Sequence, residues 1–506
     1  MAVQGFLIDK FYWGISDDNF IWQEGTFQDG AWIEIRRDPR GVTLNTALTT
    51  GYDLDWKGEV ISDIRKFTTS SNAELVVGTD NGSIYKNGVK VASWLSAVKN
   101  FSSQVIWWTS SLVVLTSWTS KYITFGNALS WDTLNSWNAN LVSLGGSSPS
   151  TNADDPMPVI FSSTKDLVIF WWGRDLCSID TSWSITVHTQ LPNTSERFTY
   201  ISEFADQIRA FTMRGATKQR GNVYVYPTAT SFATTSENPS YSIVLEWLPV
   251  KTGINLWGTD LLFTGYGWPK TSTGFTTLST LASMYQYSWY QKQLLHRNKP
   301  GEEKLHFFGQ FANAVGQTEW TSYFSGQNGI YSYGTFLGGF PPSLNLDFAL
   351  TSTDTTNEWI HAIETDEDNI YVTYNDGTDD KFVSFPFTPG TYTASGSVTT
   401  RVLSGQTVSQ KKSWKSLFIG YDISSTNGYG GTIDILARPN TWAAWQTVGS
   451  ITDTTTKKKE FYEAQLPFKD FSTLEIKATL NSGDTNTTTP ILYDISGEYD
   501  LIDNHL

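Results

Sequence analysis

The chain has 506 residues, of which 17% are charged and 15% aromatic, and its formal net charge is −15. This aromatic content can build a large core and argues against long disordered stretches. The acidic balance argues against sequence-specific binding of nucleic acid, which needs clustered Lys and Arg. One cysteine, Cys177, excludes a disulfide framework and a zinc site built from cysteines. No apolar stretch approaches bilayer-spanning length and no secretory signal is visible, so we expect no membrane insertion.

Residues 1–57 predict a short segment of strands. Phe6–Tyr12 and Ala31–Ile35 alternate between apolar and polar side chains, and turns are predicted at Gly14 and at 38–41. Such a segment either docks on the next domain or supplies a strand that closes its last sheet. Both interpretations stay open at this point.

Residues 58–402 consist of short runs of β-branched and aromatic residues between clusters of Gly, Asn, Asp, Ser and Thr. Windows with helical spacing are nearly absent. The clearest unit is Glu74–Tyr85, where the Asp80-Asn81-Gly82 turn contains residues that tolerate positive φ. Equivalent paired runs begin at Ser111, Asp166, Gln207, Leu261, Thr321 and Asn369.

The spacing of these units predicts a β-propeller. The six steps from Glu74 to Asn369 span 295 residues, a mean of about 49. A period of about 40–50 residues with four strands is typical of propeller blades, which bury their faces by stacking radially. We predict seven blades, with six or eight as alternatives. A string of two or three β-sandwiches is the competing all-β architecture.

Residues 403–506 predict a separate β-sandwich or jelly roll. The composition changes here, with a lysine run at 457–459 and a new ladder of strands. In Leu474–Leu480 apolar residues alternate with Glu, Lys and Thr, the pattern of a strand with one buried face. About 100 residues suit one antiparallel sandwich.

Both ends of the chain resemble tailed-phage virion proteins. The stretch FYWGISDD at 11–18, followed by 30–44 with IRRDPR at 35–40, is similar to the opening of that family. The stretch TTPILYDISGEY at 488–499, after Leu474–Lys477, resembles the C-terminal sandwich of phage tail and baseplate proteins. The resemblance implies a structural or host-contacting tail component and carries over no catalytic residues.

Several tryptophans occupy positions where glycine, with its free φ, suits the local context. Trp13 stands where the phage pattern has glycine, and the chain contains 22 tryptophans. Our hypothesis is that some of these positions are UGA codons that the host reads as glycine. The other candidates are Trp107, Trp108, Trp118, Trp171, Trp172 and Trp183.

We expect no catalytic residues and no cofactor. The acidic pairs are adjacent in sequence, so in extended chain they point to opposite faces instead of converging on one bond. These groups of adjacent carboxylates are Asp17-Asp18, Asp154-Asp155, Asp366-Glu367-Asp368 and Asp379-Asp380. No histidine has the spacing of a metal site. A weak calcium site could use Asp366, Asp368 and Asn369, which offer hard oxygen ligands in one short loop.

Aromatic side chains are the remaining binding candidates, because sugars stack their apolar faces on Trp and Tyr. The sugar-stacking candidates are Trp268, Trp289, Trp442 and Trp445. Core packing competes with this interpretation, because propellers and sandwiches bury many aromatic residues.

The sequence therefore predicts a non-enzymatic phage tail protein of the tail tip, nozzle or fibre-attachment region. Its expected partners are other tail proteins and further copies of itself, with assembly in the host cytoplasm and a final location in the virion. The alternative is a carbohydrate-binding protein that recognises a host surface glycan. A polysaccharide-degrading propeller enzyme is a third hypothesis.

Overall fold

The computed structural model describes residues within 4–50, 59–68, 73–146, 157–227, 241–297, 315–350 and 358–502, with gaps inside these ranges, among them 16–25, 107–108, 125–133, 266–282, 289–292, 366–367 and 377–379. No α-helix occurs in the described residues, and antiparallel strands form nearly all of the regular structure. Two lobes are formed: a ring of small sheets and a sandwich of two larger ones. The predicted all-β class, with a propeller followed by a sandwich, is confirmed.

The N-terminal segment contributes short strands to both lobes. They are β1 (Gln4–Ile8), β2 (Gly14–Ile15), β3 (Thr26–Phe27), β4 (Asp29–Ala31), β5 (Ile33–Glu34), β6 (Thr43–Leu44) and β7 (Thr49–Thr50).

The ring is made of blades, numbered here in chain order. Blade one has β8 (Ile61–Thr68), β9 (Ala73–Thr79), β10 (Ile84–Lys86) and β11 (Val89–Ala92). Blade two has β12 (Val98–Ile106), β13 (Thr109–Thr116), β14 (Lys121–Thr124) and β15 (Val142–Ser143). Blade three has β16 (Gly145–Gly146), β17 (Val159–Ser162), β18 (Leu167–Trp172), β19 (Asp175–Ile179) and β20 (Ser184–Gln190).

The remaining blades follow the same plan. Blade four has β21 (Glu196–Phe204), β22 (Gln207–Arg214), β23 (Arg220–Pro227) and β24 (Tyr241–Glu246). Blade five has β25 (Val250–Leu256), β26 (Asp260–Gly265), β27 (Ser283–Ser288) and β28 (Gln293–Arg297). Blade six has β29 (Val315–Gln317), β30 (Thr321–Gly326), β31 (Gly329–Gly334) and β32 (Ser343–Ala349). Blade seven has β33 (Glu358–Thr365), β34 (Asn369–Asp376) and β35 (Asp380–Pro386), completed by β7.

Seven blades close the ring. One strand of each blade lies beside the corresponding strand of the next, in the order β8, β12, β17, β21, β25, β29 and β33, and β33 of blade seven lies beside β8 of blade one. Apolar side chains fill the spaces between neighbouring blades wherever the structure describes them; Val76 of blade one, for example, shares a buried cluster with Phe101 and Leu112 of blade two. These blades therefore bury their faces against their neighbours, as the periodicity predicts.

Local turn chemistry explains why the blades form hairpins. Asn87 and Gly88 connect β10 to β11 with φ values of +47° and +84°. Positive φ at both residues defines a type I′ turn, whose twist matches that of the two strands it joins. The Asn87 side chain also accepts a hydrogen bond from the backbone N–H of Leu75, at 3.0 Å.

The sandwich has two facing sheets. Its own strands are β36 (Ser395–Thr399), β37 (Lys412–Asp422), β38 (Thr432–Pro439), β39 (Gln446–Ile451), β40 (Glu460–Gln465), β41 (Leu474–Asn481) and β42 (Ile491–Leu501). One sheet has the order β1-β42-β37-β40, and the other has β39-β38-β41-β36-β4. The apolar residues of β41 are buried in the shared core, as their alternation predicts. β36 belongs to this lobe, although the segment 58–402 assigned to the propeller from sequence includes it.

The N-terminal strands add to both sheets of the sandwich and to two blades of the propeller. β1 pairs with β42 and β4 with β36, so both complete the sandwich. β2 lies parallel to β32 at the outer edge of blade six, and β7 pairs with β35 in blade seven. Docking and blade closure, the two roles left open by the sequence, therefore both occur.

A polar junction joins the two lobes around the β5–β6 hairpin. The Asn345 side chain of blade six donates to the Ile33 carbonyl at 2.7 Å, and the Asn45 side chain donates to the Asp347 carbonyl at 3.1 Å. On the sandwich side, the N–H of Leu44 donates to the Thr489 hydroxyl at 2.9 Å. We call these contacts the lobe junction.

Candidate functional site

The most exposed aromatic surface lies at the sandwich tip, residues 440–445, which connect β38 to β39. Asn440 directly follows β38 and has a left-handed backbone conformation, with φ +66°. Its side chain accepts a hydrogen bond from the Thr473 hydroxyl at 3.2 Å. This turn projects Trp442 into solvent, where 83% of the residue is exposed. An exposed tryptophan on an anchored turn is a suitable stacking surface for a flat apolar ligand face.

Trp445, the second candidate at this tip, already has a partner. The Arg438 guanidinium lies 4.5 Å from the centre of its ring, a cation–π contact. Arg438 is held there by an ion pair with Glu475, which is fully buried. A buried carboxylate requires such a partner. One face of Trp445 is therefore occupied, and Trp442 is the ring available for a ligand.

A second surface lies on blade two. A depression of about 330 Å³ is lined by Leu95, Ser96, Trp118, Thr119 and Lys121. The N–H of Trp118 donates to the Ser96 hydroxyl at 3.3 Å, and 71% of Trp118 is exposed. The depression combines one aromatic ring, two hydroxyls and one cation. The sequence singles out Trp118 only for its glycine-like context.

The first strands of neighbouring blades carry a polar cluster. Arg65 on β8 lies 3.4 Å from Glu364 on β33, which links blade one to blade seven. Asp63 accepts a hydrogen bond from the N–H of Phe101 at 2.8 Å, which links blade one to blade two. Burial raises the pKa of Asp63, although Arg65 and the Phe101 N–H act in the opposite direction. The Glu364 carboxylate raises the pKa of Arg65, against the effect of burial. The cluster ties three blades together at the point where the ring closes.

The predicted calcium loop is only partly within the described residues, since Asp366 lies outside them. Asp368 is exposed, and its backbone carbonyl accepts a hydrogen bond from the N–H of Phe387 at 2.8 Å. Asn369 begins β34. In the part of the chain that the structure describes, no three His, Cys, Asp or Glu side chains come together as a metal site. Calcium binding stays a prediction.

The sugar-stacking candidates Trp268 and Trp289 lie outside the described residues, so only Trp442 and Trp445 can be placed. The acidic pairs at 17–18 and 154–155, and Asp379, also lie outside them.

Two reactive side-chain types lie in blade three, and both are buried. His188 Nε2 is 2.7 Å from the Ser178 hydroxyl, and burial lowers the pKa of its imidazole. Burial, with a smaller contribution from Asp175, raises the pKa of the Cys177 thiol well above its ordinary value. Both side chains pack inside the blade, where no substrate reaches them.

Comparison with known proteins identifies no family for this chain. No protein-family profile matches the chain, and no curated protein sequence matches it. Among solved structures it is similar to Chaetomium thermophilum Raptor, with a TM-score of 0.44 and 9% identity, over 68% of this chain and 29% of that one. It is also similar to the Dos1 propeller, with a TM-score of 0.40 and 13% identity, over 70% of this chain and 90% of that one. Among the described residues, no helix has the length and apolar character needed to cross a membrane.

Proposed function

We propose that this protein is a non-enzymatic structural component of a phage tail, in the tail tip, nozzle or fibre-attachment region. The observation that carries the proposal is that both stretches resembling tail proteins contribute side chains to one buried core at the sandwich. They lie at opposite ends of the sequence, yet they pack against each other.

The contacts between these stretches are extensive. Phe11, Ile33 and Val42 from the first stretch share a buried cluster with Leu474 and Leu492 from the last. A resemblance at two remote sites is more informative when both sites build the same unit, because one set of packing constraints then explains both.

The architecture suits a load-bearing part. A two-lobed chain with one simple connection is free to bend between its lobes. Here β1 and β4 complete the sandwich, β2 adds to blade six and β7 completes blade seven. The lobe junction adds hydrogen bonds in both directions. Movement of one lobe against the other would strain the short connections between these strands and break the hydrogen bonds of the lobe junction.

In this role the protein acts through assembly. Its partners are other tail proteins and further copies of itself, arranged with the closed symmetry usual for homo-oligomers. The net charge of −15 keeps unassembled copies apart in the host cytoplasm.

Peptide mass spectrometry of gradient-purified virus particles tests this proposal. We expect the chain in the particle at several copies, and sedimentation of the purified full-length protein should show a discrete oligomer. Recovery from the lysate but never from particles would overturn the tail assignment.

A second function, recognition of a host surface glycan, is favoured by the exposure of Trp442 at the sandwich tip. The test is a glycan array with the full-length chain, because the sandwich includes β1 and β4 from the N-terminal segment. Glycan recognition would be supported by binding that is lost in Trp442→Ala and kept in Trp118→Ala. Trp118 is the control because its ring, on blade two, is similarly exposed. Absence of binding to every glycan would count against it.

A further inference from the structure

Two tryptophans have a backbone conformation that tryptophan rarely adopts. Among the described residues, seven that are not glycine have positive φ. Five are Asn or Asp, whose short side chains make this region accessible. They are Asn87, Asn135, Asn440, Asp470 and Asn486. The other two are Trp32 and Trp183, each with φ +60°.

The turn around Trp183 has the pattern of a glycine turn. Residues 180–183 connect β19 to β20, and the N–H of Trp183 donates to the Asp180 carbonyl at 3.0 Å. The Asp180 carboxylate accepts a hydrogen bond from the N–H of Ser182 at 2.9 Å. A turn with Asp at its first position and a left-handed fourth position selects glycine at that fourth position.

Trp32 is held in the same conformation by contacts of its backbone. Its carbonyl accepts hydrogen bonds from the N–H of Asn45 at 3.0 Å and from the Thr393 hydroxyl at 3.4 Å. The same carbonyl lies so close to Gly396 that a Cβ at residue 396 would collide with it. Two segments of the chain, at Asn45 and at 393–396, therefore fix this peptide through its backbone. The indole of Trp32 also lies edge-on to Phe348, at 5.3 Å between ring centres.

We infer that residues 32 and 183 are glycine in the protein that the native host makes. The printed tryptophans then correspond to UGA codons, which the host reads as glycine and a different translation table reads as tryptophan. This inference does not depend on the proposed function, since it rests on backbone conformation alone.

Two tryptophans that lack positive φ and also pack in the core are assigned as genuine. Trp414 stacks on Phe471, with ring centres 5.4 Å apart and planes 6° apart, and its indole N–H donates to the Phe471 carbonyl at 3.2 Å. Trp137 is fully buried in the core between blades one and two. Both have ordinary negative φ, and glycine in their place would leave cavities.

The structure also revises the hypothesis made from sequence. Trp171 and Trp172 lie within β18 with buried side chains, so we now assign both to tryptophan. Trp13, Trp107 and Trp108 lie outside the described residues. Ile106 and Thr109, which flank the last two, pair directly with each other.

The codons of the gene give the first test. We expect UGA at positions 32 and 183, and UGG at positions 137 and 414. UGG at either 32 or 183 would overturn the inference for the native protein.

The second test is the mass of the tryptic peptide Asp175–Arg197 from the natural source, in which position 183 is the only tryptophan. A mass that fits glycine supports the inference, and a mass that fits tryptophan overturns it. Peptides that cover Trp137 should keep the tryptophan mass.

A third test uses recombinant protein and needs no natural material. Trp183→Gly and Trp32→Gly should unfold at a higher urea concentration than the printed sequence, because the strain at φ +60° is removed. Trp137→Gly and Trp414→Gly should unfold at a lower one. Trp183→Gly also loses the stacking of the Trp183 ring on Tyr122, at 4.0 Å between ring centres, so the strain that is relieved must exceed this loss. If both glycine variants at 32 and 183 unfold earlier than the parent, the strain argument fails.

Discussion

Val42 and Leu492, near opposite ends of the chain, exchange a pair of backbone hydrogen bonds. The N–H of Val42 donates to the Leu492 carbonyl at 2.8 Å, and the N–H of Leu492 donates to the Val42 carbonyl at 3.0 Å. The adjoining residue, Gly41, lies against the Leu492 carbonyl with no room for a Cβ. This bridge therefore depends on a glycine at position 41.

Gly41→Ala should weaken the attachment of the N-terminal segment to the sandwich. The added methyl group collides with backbone, which cannot rotate away, so we expect a loss of about 1–3 kcal/mol in the free energy of unfolding. Urea unfolding followed by tryptophan fluorescence measures it. Gly390→Ala is the matched control, because a Cβ at residue 390 meets nothing within 4 Å. Equal losses in the two variants would show that the bridge has no special role.

Removal of the buried ion pair at the sandwich tip should be costly. Arg438→Ala removes the ion pair of the fully buried Glu475 carboxylate, and we expect a loss of about 3–5 kcal/mol. Lys415→Ala, which breaks the more exposed pair with Asp500 at 2.9 Å, should cost about 0–1 kcal/mol. Chemical denaturation of both variants compares the two pairs. Similar losses would contradict the burial argument.

Glu59 should make the stability of blade one depend on pH. Burial raises the pKa of its carboxyl, but hydrogen bonds from Lys90, Ser83 and Thr79 outweigh that effect and lower it below its ordinary value of 4.5. A lowered pKa in the folded protein gives stability that is present above pH 4.5 and is lost as the pH falls through the folded value.

Glu59→Gln should therefore cost about 1–2 kcal/mol at pH 7, the usual effect of losing hydrogen bonds to a charged group. The difference between variant and parent should shrink below pH 4.5. Unfolding curves across pH 3–7 measure it, with Glu498→Gln on the exposed face of β42 as the control. A difference that does not change with pH would rule out the charged hydrogen bonds as its source.

Cys177 should report the unfolding of blade three. The thiol is fully buried on β19, and its raised pKa disfavours the reactive thiolate. Labelling with a thiol reagent at pH 8 should be very slow in the native protein and fast in urea. Because this is the only cysteine, the signal comes from one site. Rapid labelling without denaturant would contradict the burial of β19.

The propeller could be predicted because its information is local. Each blade is made of hairpins between neighbours in sequence, and turns such as Asn87-Gly88 mark them directly. The pairing of β1 with β42 has no such signal, because it joins strands from the two ends of the chain. For the same reason, β36 could not be assigned to the sandwich from its own short sequence.

The candidate site likewise has some features that the sequence predicts and others that only the fold shows. Aromatic character at the sandwich tip is visible in the sequence, which singles out both Trp442 and Trp445. Only the fold shows that they differ, because the Arg438 that covers Trp445 is positioned by Glu475 on a different strand. The left-handed backbone of Trp32 is likewise fixed by Asn45 and Thr393, and no local pattern marks it.

The shared N-terminal strands have a consequence for how the protein is made. Thr49 and Thr50 leave the ribosome long before β35, their partner in blade seven, and Val42 leaves long before Leu492. The contacts that close the two lobes therefore wait until β35 and β42 have been made, and such long-range pairing folds slowly. A chain that stops before β35 keeps open strand edges in both lobes, and open edges promote aggregation.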